Sequence, residues 1–359
     1  MKALVLSGGS GTRLRPFSHS MPKQLIPIAN KPVLAHVVEN IRALGVSEIG
    51  IIVGDWGDQI AAVIGDGTRL GVKVTYIQQD QPLGLAHCVA LARPFLGDDD
   101  FVMYLGDNML PDGVVSVAEA FRAERPAAQV VVRKVADPRA FGVAELGPDG
   151  AVERLVEKPS QPRSDLAMIG VYFFSPAIHQ AVDSITPSAR GELEITDAIQ
   201  WLVEHGEVVR ASQYHGYWKD TGRVDDVLEC NHHILAGLSD DGPGAGPGVV
   251  DADSTLSGQV RIEAGARVIN SRIDGPVVVG EGTVIENCHI GAYTSIGRDC
   301  VLRGTRIRDS IVLDGATVAD VPGLQGSLIG RMANVGTGDD GVSCHRLVVG
   351  DHTRIEVAA

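Results

Sequence analysis

Hydrophobic residues follow two alternating patterns over roughly the first 225 positions. Four short stretches are rich in apolar residues, as strands buried inside a sheet are; they are residues 3–6, 49–53, 73–77 and 101–105. Between them, apolar residues recur at helical spacing over residues 32–44 and 85–92. This alternation predicts an α/β domain with a mainly parallel sheet and helices on both faces.

The pattern changes after a helix-like stretch at residues 223–236. Residues 237–248 are rich in Gly and Pro, which predicts a linker between domains 1–236 and 249–359. Beyond it, aliphatic residues recur every 17 positions in three series: Ile262, Val279, Ile296 and Leu313; Val268, Ile285 and Leu302; and Ile273, Ile290 and Ile307. One inward aliphatic residue on each side of a three-sided coil predicts a parallel β-helix. Residues 347–355 are expected to add a further coil or a cap.

Composition narrows the class of protein. The 359 residues are 44% hydrophobic and carry a formal net charge of −14, which disfavours nucleic acid and anionic membranes as partners. No apolar run reaches the ~18 residues of a membrane span. The first apolar stretch passes directly into Gly and Arg, unlike a secretory signal. The five cysteines form no CxxC pair, which favours reduced thiols in a cytoplasmic protein.

The first strand runs into SGGSGTRLR at residues 7–15. Glycines let a backbone approach a ligand closely, and arginine offers a planar set of donors to phosphate oxygens. The stretch predicts a polyphosphate-binding loop, although a glycine-rich turn with two solvated arginines explains it equally well by itself. It matches neither GxxxxGK[ST] nor GxGxxG. Asp107 also follows a strand, and ligands of such sheets bind beyond the carboxyl ends of the strands, so the two segments are expected to converge.

Seven motifs in order along the chain resemble those of the sugar-nucleotide pyrophosphorylases. They are GGSGTRLRP at 8–16 with PKQLIPI at 22–28, LGDN at 105–108, FGV at 141–143, VEKP at 156–159, RGELEITD at 190–197 and WKDTG at 218–222. The resemblance implies a mixed, mainly parallel Rossmann-like nucleotidyltransferase sheet followed by a left-handed parallel β-helix. It implies Mg²⁺-dependent transfer of dTMP from dTTP to glucose 1-phosphate, giving dTDP-glucose and pyrophosphate. A homo-oligomer is expected because the solenoid's open end and faces need cover.

The resemblance also assigns the nucleotide side of the site. Arg13 and Lys23 correspond to the cations on the reacting phosphates. The other nucleotide-binding positions are Gly8, Gly9, Ser10, Gly11, Thr12, Gln79, Pro82 and Gly84. The amide of Gln79 offers one donor and one acceptor to a thymine edge, and would serve uracil equally well.

The sugar phosphate and the metal are assigned in the same way. The expected sugar-phosphate residues are Asp107, Gly142, Glu157, Lys158, Gly170 and Arg190, and the expected Mg²⁺ ligands are Asp107 and Asp220. Gly142 and Gly170 are expected to permit close approach of the hexose. Adjacent side chains of a regular strand point to opposite faces, so Glu157 and Lys158 can both serve only where the strand ends or bends.

Alternatives remain at this stage. A uridylyltransferase and a non-catalytic regulatory homologue share the same plan, and the solenoid could transfer acyl groups with His289 or His345 as base. His19, His36 and His87 are interpreted as surface or packing residues.

The chain departs from the family pattern at Leu83, where Asp is usual, and at His87–Cys88, where small or amide residues are common.

Overall fold

The computed structural model describes residues 1–9, 11–239, 243–336 and 352–356. The chain divides into two compact units. The first contains Met1–Ser10 and Val33–Asp220, and the second contains Gly11–Pro32 together with Thr221–Ala359. The short segment Gly11–Pro32 therefore groups with the C-terminal part of the chain, although it follows directly on the first strand.

The first unit is built on one sheet, which has nine strands within the described residues. In chain order they are β1 (Lys2–Leu6), β2 (Glu48–Val53), β3 (Lys73–Gln78), β4 (Phe101–Leu105), β5 (Ala128–Lys134), β6 (Gly142–Leu146), β7 (Val152–Glu157), β8 (Leu166–Phe174) and β9 (Val209–Gln213). The main path through the sheet is β7-β6-β8-β4-β1-β2-β3, and β5 pairs with β8 and β9. Strands β4, β1, β2 and β3 are mutually parallel, whereas β8 runs antiparallel to β4, β5 and β6. The predicted Rossmann-like sheet is confirmed, with an antiparallel part formed around β8.

Helices connect these strands, as the periodicity predicts. They are α1 (Val33–Ala43), α2 (Gly57–Ile64), α3 (Leu85–Leu91), α4 (Arg93–Leu96), α5 (Val115–Glu124), α6 (Ala177–Ser184) and α7 (Ile195–Glu204), and α8 (Val224–Ala236) follows in the second unit. The core beneath α3, α6 and α7 is aliphatic and aromatic, and Phe101 and Phe174 pack within it with ring centroids 5.4 Å apart.

The second unit contains the predicted solenoid, whose parallel strands stack in three faces as expected for a left-handed β-helix. The first face consists of Pro243–Ala245, Val260–Ile262, Val277–Val279, Thr294–Ile296, Ile311–Val312 and Leu328–Ile329. The second consists of Val249–Val250, Arg267–Ile269, Val284–Glu286, Val301–Arg303, Thr317–Ala319 and Asn334–Gly336. The third consists of Thr255–Ser257, Arg272–Asp274, His289–Ile290, Arg306–Arg308 and Leu324–Gln325. Most of the predicted last coil, 347–355, lies outside the described residues.

The solenoid core agrees with the 17-residue series except at one coil. The predicted inward positions are all 1% exposed or less; they are Ile262, Ile273, Val279, Ile285, Ile290, Ile296 and Leu302. The structure pairs Ile296 with Val312, however, and not with Leu313. The corner before Val312 is one residue shorter than its counterpart in the preceding coil, since Ile307 precedes Val312 by 5 positions and Ile290 precedes Ile296 by 6. A fixed 17-residue repeat was therefore wrong at this coil.

The segment Gly11–Pro32 contacts the solenoid through a short hairpin. Strands Pro27–Ile28 and Lys31–Pro32 pair, and both turn residues, Ala29 and Asn30, have positive φ. The Ala29 main-chain N donates to Asn231 Oδ1 (2.9 Å), and Asn30 Nδ2 donates to the carbonyl of Ile296 (2.6 Å). Asn231 is buried in α8 and also accepts from Ser295 Oγ (2.7 Å). Helix α8, the hairpin and the solenoid thus share one hydrogen-bond network.

Two further observations bear on the class of protein. Cys88, Cys230, Cys288 and Cys300 are buried and free of disulfides, as predicted for reduced thiols; Cys344 lies outside the described residues. Among the described helices, none has the length and apolar character needed to cross a bilayer.

Candidate active site

The carboxyl ends of β1 and β4 lie side by side, which brings the glycine loop and the LGDN motif to one edge of the sheet. Leu6 and Leu105 are register partners, and the Gly106 main-chain N donates to the carbonyl of Leu6 (2.9 Å). Gly8 follows β1 and Asp107 follows β4 within a few residues of this pair. The expected convergence of Gly8, Gly9 and Asp107 is confirmed. Ser10 lies outside the described residues.

The two residues predicted to hold the metal lie on neighbouring stretches of backbone at this edge. Asp220 is the register partner of Asn108 in a two-stranded antiparallel ladder, so its backbone lies close to that of Asp107 although 113 positions separate them in the chain. Asp107 is buried and Asp220 is partly buried. Within the described ranges, no group of three or more His, Cys, Asp and Glu side chains is arranged to hold a metal. Carboxylate oxygens are protein ligands that Mg²⁺ takes, and it keeps its other positions for phosphate and water.

Asn108 is held beside Asp107 by a tryptophan that the sequence did not single out. Trp218 Nε1 donates to Asn108 Oδ1 (2.7 Å), and the Trp218 ring meets Phe141 edge-on with centroids 5.5 Å apart. The Asn108 Nδ2 in turn faces Asp107 Oδ1 at 3.5 Å. Trp218 lies within the WKDTG motif, so its position beside Asp220 was the signal available in the sequence.

Gln79 lies against the glycine loop. Its side chain is buried, and its Oε1 lies 3.1 Å from the point where a Cβ on Gly8 would stand. Its Nε2 lies 3.1 Å from Nδ1 of His87 in α3. His87 is therefore not a simple surface or packing residue, because it bonds a predicted nucleotide-binding side chain.

Gly84 is the residue before α3, and its backbone requires glycine for two reasons. Its φ is +106°, and a Cβ there would stand 2.7 Å from the main-chain N of Leu193. Residues on both sides of Gly84 form main-chain hydrogen bonds with Leu193. Leu193 N donates to the Leu83 carbonyl (2.8 Å), and Ala86 N donates to the Leu193 carbonyl (3.0 Å). Gly84 thereby fixes the entry of the helix that carries His87. Pro82 is exposed on the preceding loop.

The chain bends between Glu157 and Lys158, as their joint assignment requires. Strand β7 ends at Glu157, Lys158 has a φ of +42°, and its main-chain N donates to the Phe141 carbonyl (3.0 Å). Both side chains consequently reach the same side of the sheet, where Lys158 Nζ lies 3.5 Å from Glu157 Oε1. Thr196 Oγ1 donates to Glu157 Oε2 (2.6 Å) and orients that carboxylate.

Arg190 enters the same cleft, where carboxylates surround its guanidinium. Its Nη2 lies 2.7 Å from Oε1 of the buried Glu194, 3.4 Å from Glu192 and 3.5 Å from Glu157. The hydrogen bond to Glu194 raises the pKa of Arg190 above its ordinary value. Sequence reasoning took Arg190 as a cation for the sugar phosphate and noted the acidic residues that follow it, whereas the approach of Glu157 is visible only in the structure.

The cleft lined by Glu157, Lys158, Arg190, Glu194 and Asp197 has a volume of about 530 Å³. Burial raises the pKa of Asp197, and the charges of Glu194 and Glu157 raise it further. Lys158 is the lysine in this acidic cleft and lies at its rim, nearly half exposed. A phosphate group entering the cleft would therefore meet Lys158 and Arg190 against a background of negative charge.

Gly142 and Gly170 both make room for side chains of the site. A Cβ on Gly142 would stand 2.9 Å from Thr196 Oγ1 and 3.1 Å from Glu157 Oε2, besides colliding with Met168. Gly170 has a φ of +78°, and a Cβ there would stand 2.7 Å from Asn108 Nδ2. The close approach that requires glycine at these positions is thus made by protein side chains; contact with a hexose stays a prediction.

The remaining predicted residues belong to the second unit. Gly11 has a φ of +61°, and a Cβ there would stand 3.3 Å from the Cβ atoms of Lys23 and Ser18. Thr12 and Arg13 begin the 3₁₀ turn Thr12–Leu14, where both side chains are exposed. Lys23 begins the turn Lys23–Leu25 and is partly buried. The glycine at position 11 therefore lets the arginine-bearing turn pack against the side chains of Lys23 and Ser18.

Comparison with known protein families shows which family the chain belongs to. Residues 2–237 match the family model described as nucleotidyl transferase. The chain belongs to the nucleotidyl transferase family. Its Rossmann-like sheet is thus that of a nucleotidyltransferase.

Two relatives are similar in sequence to this nucleotidyltransferase over its whole length. A Streptomyces griseus protein named glucose-1-phosphate thymidylyltransferase is 52% identical over 359 residues, covering 100% of both chains. A Streptomyces antibioticus protein of the same name is 49% identical over 358 residues, covering 99% of both. Among solved structures, a Bacillus anthracis protein assigned as a glucose-1-phosphate thymidylyltransferase aligns with a TM-score of 0.62 at 32% identity. That alignment covers 67% of this chain and 96% of the other. The resemblance drawn from the seven motifs is confirmed.

Proposed function

We propose that this nucleotidyltransferase transfers dTMP from dTTP to glucose 1-phosphate and releases pyrophosphate. The observation that carries the proposal is the ladder that sets Asp220 opposite Asn108, because it brings the backbone of Asp220 close to that of Asp107 at the sheet edge that also bears the glycine loop. The names of the two full-length Streptomyces relatives support the choice of substrates.

The main requirement of this reaction is to offset the repulsion between two anionic substrates, and proton transfer matters less. An oxygen of the sugar phosphate attacks the α-phosphorus of dTTP, a new P–O bond forms, and the bond to the β-phosphate breaks as pyrophosphate leaves. A phosphate monoester is already mostly dianionic at pH 7, since its second pKa is about 6. The nucleophile therefore needs no general base, and the protein has to align two anions and offset their repulsion.

Asp107 and Asp220 fit a Mg²⁺ ion by donor type and number. When bound, Mg²⁺ would neutralise phosphate oxygens of the two substrates. Trp218 and Asn108 act behind the carboxylates, because the bond from Trp218 fixes the Asn108 side chain beside Asp107. Their task is to hold the orientation of the carboxylates.

The triphosphate is assigned to Arg13, Lys23 and the glycine loop. Arg13 would stabilise charge that grows on the departing pyrophosphate, and main-chain N–H groups of the loop would assist it. Gly11 supports this role, since its lack of a side chain lets Lys23 lie against the loop. The base is assigned to Gln79, which lies beside Gly8.

The sugar phosphate is assigned to the cleft between β7 and α7. Glu157, oriented by Thr196, would accept sugar hydroxyls, and Lys158 would bind the phosphate from the bend that follows. Arg190 is a weaker candidate for the phosphate, because Glu194 already neutralises much of its charge.

Pyrophosphate release measured with glucose 1-phosphate and each of dTTP, UTP and dCTP tests the proposal. We expect the largest kcat/KM with dTTP and loss of activity with EDTA. Turnover of UTP alone would show a uridylyltransferase, and absence of pyrophosphate with every nucleotide would show a non-catalytic homologue. Light scattering on the same sample tests the expected homo-oligomer.

A further inference from the structure

The orientation of the Gln79 amide is set by its neighbour in α3. Gln79 Nε2 can only donate, so at 3.1 Å from His87 Nδ1 it requires that ring nitrogen to accept. His87 is then the tautomer that carries its proton on Nε2. The Gln79 amide also interacts with the Cys88 thiol, which stays protonated because burial raises its pKa to about 12. The nitrogen end of the amide thus faces α3.

The oxygen end of the amide faces the glycine loop. Gln79 Oε1 lies 3.1 Å from the Cβ position of Gly8, whereas the nitrogen points to the opposite side. The side chain is buried, so the amide has little freedom to reorient without a new partner for its nitrogen. An acceptor atom, rather than a donor, is therefore presented toward the loop.

We propose that His87 is a positioning residue for base selection: by accepting from Gln79 Nε2, it turns Gln79 Oε1 toward the nucleobase. The proposal rests on the nucleotide site described under the proposed function. A carbonyl oxygen at this point accepts from the N3–H of thymine or uracil. It opposes the N3 of cytosine, which bears a lone pair and no hydrogen.

The residue type at position 87 matters for this effect. An acceptor there holds the amide nitrogen, whereas an apolar side chain leaves that nitrogen only the weak sulfur acceptor of Cys88 and reduces the energy difference between the two amide orientations. In the flipped orientation a donor would face the loop, and cytosine N3 could accept from it. His87 therefore favours imide bases through Gln79 without touching the base.

The test compares the variants His87→Leu and His87→Gln in the full chain. The readout is the ratio of kcat/KM for dTTP to that for dCTP, with glucose 1-phosphate as the second substrate. We expect the ratio to fall about tenfold in His87→Leu, the equivalent of one hydrogen bond. It should recover in His87→Gln, whose amide oxygen can accept from Gln79 Nε2. The exposed His215 provides a matched control, and His215→Leu should leave the ratio unchanged.

Other results would overturn the proposal. An unchanged ratio in His87→Leu, or equal losses in both variants, would show that an acceptor at position 87 does not select the base. A structural defect alone would change the KM for glucose 1-phosphate as well. Failure of the wild-type enzyme to use dTTP would count against the proposed function instead.

A measurement on the wild-type chain keeps the proposal testable if His87→Leu does not fold. Nitrogen-15 NMR of histidine-labelled protein at pH 8 should show an unprotonated Nδ1 on His87. A protonated Nδ1 would mean that the ring donates to the amide oxygen, and the orientation argued here would be wrong.

Discussion

Asn30 Nδ2 donates to the main-chain carbonyl of Ile296 over 2.6 Å, which joins the hairpin after Lys23 to a core position of the solenoid. The neighbouring Ala29 N bonds Asn231, and Asn231 bonds Ser295. The segment that carries Arg13 and Lys23, the residues proposed to bind phosphate, is therefore anchored to α8 and the solenoid. We expect the solenoid to support catalysis as well as the predicted assembly.

Asn231→Ala tests this anchoring. The substitution leaves Ala29 N–H and Ser295 Oγ without their shared acceptor in a buried setting, which should lower the free energy of unfolding by about 1–3 kcal/mol. We also expect kcat to fall, since the hairpin that follows Lys23 loses a tether. Urea unfolding and pyrophosphate release measure the two effects.

The solenoid offers a matched control for that variant. Gln325 is exposed, and its Oε1 accepts from Arg308 Nη2 on the preceding coil (2.8 Å). Gln325→Ala should change the free energy of unfolding by less than about 0.5 kcal/mol and leave kcat unchanged. Equal effects of the two substitutions would contradict a special role for Asn231.

Asp107→Asn and Asp220→Asn test the carboxylate pair. Each should lower kcat by about three orders of magnitude, or roughly 4 kcal/mol, because the charge that holds the cation is halved. The fold should survive, since an amide is isosteric with the carboxylate. Asp98→Asn, on an exposed loop, is the control for a surface aspartate. Near-normal Mg²⁺-dependent turnover in either site variant would refute the assignment.

Lys158→Ala and Arg13→Ala separate the two substrates. Lys158→Ala should raise the KM for glucose 1-phosphate, and Arg13→Ala should act on dTTP and on kcat. Each lost charge-assisted contact corresponds to roughly 1.5–3 kcal/mol, or about ten- to a hundredfold. Lys73→Ala, an exposed lysine of β3, should change neither constant. Initial-rate kinetics with each substrate varied in turn measure these constants. Equal changes in the KM values for both substrates in both site variants would disprove this division.

Asp197→Asn tests the acidic cleft through its pH dependence. The folded state raises the pKa of Asp197 by burial and by repulsion from Glu194 and Glu157, so folding favours its protonated form. Ionisation of Asp197 therefore costs stability as pH rises from about 4 through its raised pKa. Asp197→Asn should match the wild type near pH 4 and melt at a higher temperature at pH 7. A constant difference in Tm across that range would contradict the repulsion.

Sequence patterns by themselves determined the elements and their order. Alternating apolar periodicities predicted β1 to β4 and helices α1, α3 and α8, because side-chain spacing reports the local environment of each residue. The repeat of aliphatic residues predicted the solenoid and its buried positions for the same reason. The joint assignment of the adjacent residues Glu157 and Lys158 predicted the bend at Lys158, and the position of Gly8 and Asp107 after predicted strands predicted their convergence.

Tertiary structure alone decided which distant groups meet. The bond from Gln79 to His87, the approach of Arg190 to Glu157 and the tie between Asn30 and Ile296 each join elements that periodicity describes separately. The shortened corner before Val312 shows the same limit, since a repeat length does not reveal where one coil loses a residue. Hydrogen bonds and ion pairs of this kind depend on how packed elements orient individual side chains, and a one-dimensional pattern of polarity does not encode that orientation.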